Sequence, residues 1–329
     1  MDPVASLIVD ESPKVAQRLA IIDAPELITA AREITGDIRV WCDDAREANV
    51  VPEEMRFTEL TGDIFEDVDL VWMKLPKALG ALDEYAELIA LYASPEVEVV
   101  AGGRVKHMTT SMNEVLASHF GHVHASLGRQ KSRVLHASIP FDEPLSWPRR
   151  KTHADLKLTL WGHGATFGIN KVDVGTRLLL SHIREVKGPE ILDFGSGNGV
   201  LSVMLARWVP RAKITATDVS WAAASATARS AKENRVTVDA HWLADLNDWP
   251  DEIFDSIVTN PPFHQGTTKD SSGALEIFTT GARLLRPGGE FWVVFNSHLP
   301  WKAELTRLVG PTKVIEQNTG YTLTRSIKR

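Results

Sequence analysis

The chain has 329 residues, 43% of them hydrophobic and 24% charged, with a formal net charge of −7. That composition belongs to a globular protein rather than a disordered or fibrous one, and at ~150 residues per domain the length predicts two domains. A single cysteine, Cys42, excludes an intrachain disulfide and a cysteine-based zinc cage, and it fits a reducing cytosol.

The opening MDPVASLIVDESPK has no basic region and its apolar run stops at Val9, so it does not read as a signal peptide. No segment approaches the ~18 uncharged apolar residues of a spanning helix. The expectation is a soluble, cytoplasmic, monomeric protein with no membrane association and no metal. DIRVWCDD (37–44) alternates as a strand, and EDVDLVWMKLPKALGALDEYAELIALYASPEVEVVAGG (66–103) runs strand, proline turn, helix, strand.

Charge is unevenly spread. Residues 1–150 carry 25 acidic and 15 basic side chains, and the remainder carries 18 and 21. The late basic residues of the first part, Arg104, Lys106, Arg129, Lys131, Arg133, Arg149 and Arg150, form a local stripe. Fields act over a Debye length of ~10 Å, so such a stripe can meet a polyanion despite the negative total. A solvated surface of mixed charge is the competing account. PFDEPLSWPRRKTHADL (140–156), with three prolines, reads as a linker. It separates a domain over 1–145 from one over 155–329.

The second domain opens with FGINKVDVGTRLLL (167–180), a turn leading into an apolar helix that Asp173 and Thr176 can cap. A second reading of this segment sets Phe167 and the Asp173–Thr176 turn over one end of a bound ligand. Strand and helix then alternate: PEILDF (189–194), VLSVMLARWV (200–209), KITATDVS (213–220), WAAASATARSAKEN (221–234), VTVDAHWLA (236–244), FDSIVTN (254–260), a helix over ALEIFTTGARLLR (274–286) ended by Pro-Gly-Gly (287–289), and GEFWVVFN (289–296). This order implies parallel pairing through right-handed crossovers, hence a doubly wound, mostly parallel α/β sheet. The 66–103 segment follows the same order as 254–297, with LeuProLys (75–77) where AsnProPro (260–262) falls. The first half therefore reads as a duplicated, degenerate copy, lacking any Gly-rich turn after an acidic strand end.

Two motifs carry chemistry. In DFGSGNG (193–199) the glycines at 195, 197 and 199 make GxGxG, whereas the nicotinamide fingerprint GxGxxG requires glycine where Val200 stands. The pattern suits S-adenosyl-L-methionine, with Asp193 facing its amino-acid portion and Gly195, Ser196, Gly197 and Gly199 leaving room for backbone approach. Asp218, followed by Val219, closes the next strand and can accept from ribose hydroxyls. Asp245, followed by Leu246, closes the third and can accept from an adenine amine. Ligands collect at the carboxyl ends of strands in open α/β sheets, which is where these acids fall. The second motif is NPPFH (260–264). Its prolines keep backbone carbonyls out of sheet and helix, so Asn260 Oδ1 and the Pro261 carbonyl can take both hydrogens of a planar NH2 group. Pro262 stiffens the turn, Phe263 can stack on a base, and His264 either contacts the substrate or packs. Positioning, not a strong base, would carry the rate.

These motifs, in this order, resemble the ribosomal RNA guanine-N2 methyltransferases of the small-subunit methyltransferase C and large-subunit methyltransferase G type. The resemblance covers DVGTRLLL, DFGSGNG, TDVS and NPPFHQG and is strongest over 160–329. It implies tandem Rossmann-like methyltransferase domains, the first degenerate. It also implies S-adenosyl-L-methionine bound by Asp193, Gly195, Gly197, Gly199, Asp218 and Asp245, and a guanine of ribosomal RNA or a ribosomal subunit held by Asn260 through Phe263. Trp221 departs from the pattern, where a small residue is expected. A guanine in folded RNA must leave its stack to enter such a site. Arg129, Lys131, Arg133, Arg149, Arg150 and Lys151 are the candidate RNA contacts. Transfer to another planar amine (protein glutamine, adenine N6, transfer-RNA guanine) and a non-catalytic, cofactor-binding ribosome-assembly factor stay open as alternatives.

Overall fold

The computed structural model describes residues 2–209, 211–261 and 268–329, the side chains of 268–272 excepted. The chain divides into two compact units, Met1–Arg149 with His163–Ala165, and Arg150–Gly162 with Thr166–Arg329.

In the first unit Asp2 accepts from Val4 N (3.0 Å) and Pro3 sets the first turn of α1 (Pro3–Asp10), so the apolar run there is a helix. There follow β1 (Leu19–Ile22), α2 (Ile28–Ala31), β2 (Ile38–Trp41), α3 (Ala45–Ala48), β3 (Leu70–Lys74), α4 (Leu79–Tyr92), β4 (Glu98–Arg104), α5 (Thr110–Ala117), β5 (Phe120–Ala125) and β6 (Ser132–Pro140). The sheet order is β2-β1-β3-β4-β6-β5, parallel from β2 to β4 and antiparallel beyond. All four side chains of β1 are buried, as a parallel strand covered on both faces requires.

The second unit begins, from Arg150 on, with a two-stranded hairpin of β7 (Arg149–His153) and β8 (Leu158–Gly162). Next come α6 (Val174–Ser181), β9 (Glu190–Phe194), α7 (Val200–Trp208), β10 (Lys213–Asp218), α8 (Trp221–Glu233), β11 (Asp239–Trp242), β12 (Phe254–Thr259), α9 (Thr268–Leu284), β13 (Leu285–Asn296), α10 (Trp301–Leu308), β14 (Thr312–Gln317) and β15 (Tyr321–Ile327). Its sheet order is β11-β10-β9-β12-β13-β15-β14, again parallel and then antiparallel from β13. Two apolar clusters sandwich it, one around Ile191, Val203 and Leu205, the other around Phe278, Phe291 and Leu305.

Without its outermost strand β11, this order maps strand for strand onto that of the first unit, so the two sheets share one topology. The turn after β1 differs from its counterpart after β9. It reads Asp23-Ala24-Pro25 in place of the glycines, and the fully buried Tyr85 donates to Asp23 Oδ2 (3.2 Å).

Among the boundaries that depart from the sequence reading, three have a plain cause in the pairing. The strand expected over 236–244 shortens to Asp239–Trp242, the residues that pair in register with Thr215–Asp218 of β10. The helix expected to end at 286 stops at Leu284, since Leu285 already pairs with Phe254. Pro287, Gly288 and Gly289 are a bulge inside β13 rather than a helix stop: Gly288 has φ +79, and pairing resumes at Glu290 with Ser256.

Candidate active site

Four parallel neighbours, β11, β10, β9 and β12, end on one edge of the second sheet, and the segments leaving β9 and β12 line an open cleft. Of the residues nominated from sequence, Phe167, Thr176, Gly195, Ser196, Gly197 and Asn260 line it. Asp173, from the turn that the sequence reading set beside Phe167 over the ligand, lines it too, and so do Lys171, Asn198, Val200 and Leu201, to which the sequence reading assigned no ligand role.

The Gly-rich turn is held from three sides. Gly195 N and Ser196 N donate to the Thr217 carbonyl (2.8 and 3.1 Å), and Gly197 N donates to Asp218 Oδ2 (3.0 Å). Thr227 Oγ1 on α8 lies within hydrogen-bond distance of Ser196 Oγ (2.9 Å) and the Gly197 carbonyl (3.1 Å). Asn198, buried, donates through Nδ2 to the Ile169 and Lys171 carbonyls (3.1 and 2.8 Å). That bond sets the entry loop 167–172 against the turn and leaves Lys171 on the cleft wall. Its place between two glycines of the motif was the available signal; Lys171 had none.

The three acids expected at strand ends have separate tasks, and Asp245 lies beyond β11, which stops at Trp242. Asp193 does not line the cleft. It is wholly buried, Ser202 Oγ of α7 donates to its Oδ2 (2.5 Å), and its Oδ1 has no partner among the described residues. Alternation along β9 turns this side chain toward α7, which is why it misses the cavity. Burial first, then the charge of Asp218, raises the Asp193 carboxyl to about 7 against the bond from Ser202. Asp218 accepts from Gly197 N and Ser220 N (3.0 Å each), bracing two turns, and Val219 accepts Trp242 Nε1 (2.9 Å). Asp245 is exposed and accepts from Asn247 N (2.8 Å), while the Leu246 side chain sits in the core. Gly199 caps α7 with φ +78. Trp221 is buried in the first turn of α8.

The raised Asp193 carboxyl has a consequence for stability. The group keeps its proton in the fold up to about 7, whereas the unfolded chain releases it near 3.9. Between those values the native state binds the extra proton, so stability from this group falls as pH rises, by at most about 1.4 kcal/mol per pH unit, and levels off above both. Asp193→Asn, which keeps an acceptor for Ser202, is expected to flatten that decline. Urea melts of both proteins from pH 4.5 to 7.5 check it; parallel curves would reject it.

Asn260 follows β12, whose Thr259 Oγ1 donates to the Phe194 carbonyl (2.6 Å) and locks the end of that strand to β9. Asn260 Nδ2 donates to Thr176 Oγ1 (2.8 Å) and Asp173 Oδ2 (3.1 Å). Asp173 Oδ2 also caps α6, accepting from Gly175 N (2.9 Å) and Thr176 N (3.3 Å). Pro261 is buried but outside the cleft lining, and the assignments to Pro262, Phe263 and His264 lie outside the described residues. Of the candidate RNA contacts, Arg129 pairs with Glu11 (2.7 Å), Arg149 with Asp83 (2.9 Å) and Arg150 with Glu233 (3.7 Å). Lys131, Arg133 and Lys151 are exposed.

A seven-stranded doubly wound sheet with a glycine-lined cleft at its carboxyl edge and an asparagine at the end of the fourth strand defines an α/β methyltransferase. Residues 157–325 match the family model "Methyltransferase small domain", and residues 41–140 match "RLMG N-terminal domain". The chain belongs to the ribosomal RNA large subunit methyltransferase G family. The protein of that name from Stutzerimonas stutzeri is 33% identical over 272 residues, 79% of this chain and 71% of that protein. The one from Streptomyces avermitilis is 29% identical over 292 residues, 86% and 77% respectively. Among solved structures, the T. thermophilus 16S rRNA N2 G1207 methyltransferase (RsmC), in complex with AdoMet and guanosine, aligns over 100% of this chain and 92% of its own. The TM-score is 0.81 at 20% identity, a likeness of fold.

Proposed function

We propose that this protein transfers a methyl group from S-adenosyl-L-methionine to the exocyclic N2 amine of a guanine in ribosomal RNA, acting as a monomer in the cytoplasm. The observation that carries the reading is Asn260, fixed at the end of β12 on the wall of the same cleft that the Gly-rich turn lines. The names borne by the relatives, ribosomal RNA large subunit methyltransferase G, support the substrate class. Among the described residues no helix is long and apolar enough to cross a membrane.

The cleft fits the cofactor. Gly195 and Gly197 have φ +80 and +56, and a Cβ built on either meets nothing within 4 Å, so the turn leaves space where a ligand's backbone-hugging chain would lie. Gly195, Ser196 and Gly197 would hold the amino-acid portion, with the Lys171 ammonium on its carboxylate and Phe167 and Thr176 beside it. Asp218, at the end of β10 and bonded to Gly197 N of the Gly-rich turn, would face the ribose hydroxyls, and the exposed Asp245 would face the adenine amine. Bound there, the cofactor supplies an electrophilic methyl group on a sulfonium sulfur.

The chain's own residues then act on the guanine. Asn260 Oδ1 and the Pro261 carbonyl accept the two N2 hydrogens, which favours pyramidal nitrogen and turns its lone pair toward the methyl group. Phe263, outside the described residues, is the ring that the sequence nominates to stack on the base. Among the described lining residues the ionisable side chains are Lys171 and Asp173; in this reading positioning carries the rate, and the proton lost by the amine goes to solvent.

The test is methylation of unmodified ribosomal subunits and stripped ribosomal RNA with labelled cofactor, followed by nucleoside mass mapping. N2-methylguanosine at a defined nucleotide is the expected product. Label found only in release-factor glutamine, DNA adenine or transfer RNA would overturn the reading.

A further inference from the structure

The side-chain amide of Asn260 has two ends of nearly the same shape, and only one suits a substrate that donates hydrogens. Which end meets the substrate is decided by its fixed partners. An ionised carboxylate only accepts, so the end 3.1 Å from Asp173 Oδ2 must be Nδ2. The second Nδ2 hydrogen goes to Thr176 Oγ1 at 2.8 Å. Both amide hydrogens are thereby used on the α6 side, and Oδ1 is the end left for the cleft. In the opposite orientation Nδ2 would meet an NH2 group, donor against donor.

We propose that Asp173 is a positioning residue for methyl transfer: its carboxylate, held by the first turn of α6, selects the rotamer of Asn260 that offers Oδ1 to the target amine. The assignment rests on the guanine-amine reading of Asn260 and adds a group that does not itself touch the substrate. The same oxygen of Asp173 accepts from Gly175 N, Thr176 N and Asn260 Nδ2, so one carboxylate both caps the helix and orients the amide. That shared oxygen fixes the helix N-terminus and the acceptor in one geometry. Gly175 belongs to the arrangement: a Cβ there would lie 3.1 Å from Asp173 Oδ2 and 2.8 Å from the Tyr321 ring.

The cap and the clamp can be separated. Serine is as good an N-cap as aspartate but has no carboxylate to reach Asn260, so Asp173→Ser keeps the helix start and releases the amide. Its kcat is expected to fall on the order of 10- to 100-fold. KM for the RNA, affinity for S-adenosylhomocysteine by calorimetry and the melting temperature should all stay close to wild type. Asp173→Asn retains an oxygen for all three donors and should keep kcat within a few-fold. In an Asn260→Ala background Asp173→Ser should add nothing, because the amide it orients is gone. An equal loss in both backgrounds, a loss that tracks cofactor affinity and melting temperature, or an unchanged kcat would overturn the proposal. Hydrogen exchange at the Asn260 side-chain amide, followed by NMR, gives a readout independent of substrate. It should be slow in wild type and in Asp173→Asn, and at least tenfold faster in Asp173→Ser; equal rates would also overturn it. A wild-type protein that forms no N2-methylguanosine would sink the guanine reading, while the exchange rates still judge the clamp.

Discussion

Replacing Asn260 by alanine is expected to lower kcat by on the order of 10²- to 10³-fold, the range seen when one preorganised polar group is removed from an active site. Cofactor affinity should change by no more than about threefold. The asymmetry comes from the bonding: both Nδ2 hydrogens are engaged by Asp173 and Thr176, so the free oxygen is the group the substitution takes from the reaction. Asn260→Asp should do no better despite its shape. It places a second carboxylate about 3 Å from Asp173, where like charges force one of them to hold a proton. Single-turnover transfer of labelled methyl, with parallel titration of S-adenosylhomocysteine, measures both quantities. Activity of Asn260→Ala within a few-fold of wild type would remove Asn260 from the chemistry.

A large loss of stability is expected from Gly199→Ala. A Cβ at this position would lie 2.8 Å from Thr227 Cα and 3.1 Å from Thr227 Cβ and Cγ2, so the obstacle is the backbone of α8, not the end of a flexible side chain. The residue also has φ +78, a left-handed conformation that costs a side-chain-bearing residue about 1–2 kcal/mol. Overpacking adds about 1–3 kcal/mol. Together they predict a destabilisation of roughly 2–5 kcal/mol, and a fall in melting temperature on the order of 5–15 °C for a domain of this size. Gly197→Ala is the control. At φ +56 with nothing within 4 Å of its Cβ it bears only the conformational term, and its effect should appear in cofactor affinity. Thermal melts of the two variants decide the matter; equal melting temperatures would show that α7 and α8 do not need the glycine.

The contrast between these glycines shows how far a motif can be read. GxGxG announces a turn with left-handed residues, and its spacing alone distinguishes it from a dinucleotide fingerprint at Val200. It does not say that Gly195 and Gly197 face open space while Gly199 is pressed against Thr227, because α8 comes from later in the chain. The acids divide the same way. Alternation placed Asp193, Asp218 and Asp245 at strand ends, yet Asp193 turns into the core against Ser202, and both oxygens of Asp218 brace neighbouring turns. Lys171 carried no local signal, since its position on the cleft wall is set by Asn198 bonding to the loop around it. The bulge at Pro287–Gly289 read as a helix stop because proline and glycine mark a break in either element. Only pairing with β12 made it part of a strand.

From residue order alone came the alternation of strand and helix, the side of the sheet on which the site lies, and the residue types that meet there. Those follow from local backbone preference and from a hydrophobic period that each segment carries within itself. Tertiary structure decided which atoms face the ligand. Asn260 and Asp173 stand 87 positions apart, and no local pattern reports that the second holds the first. An amide's orientation is a choice between two hydrogen-bonding partners, and that choice exists only once the fold has brought them within 3.1 Å.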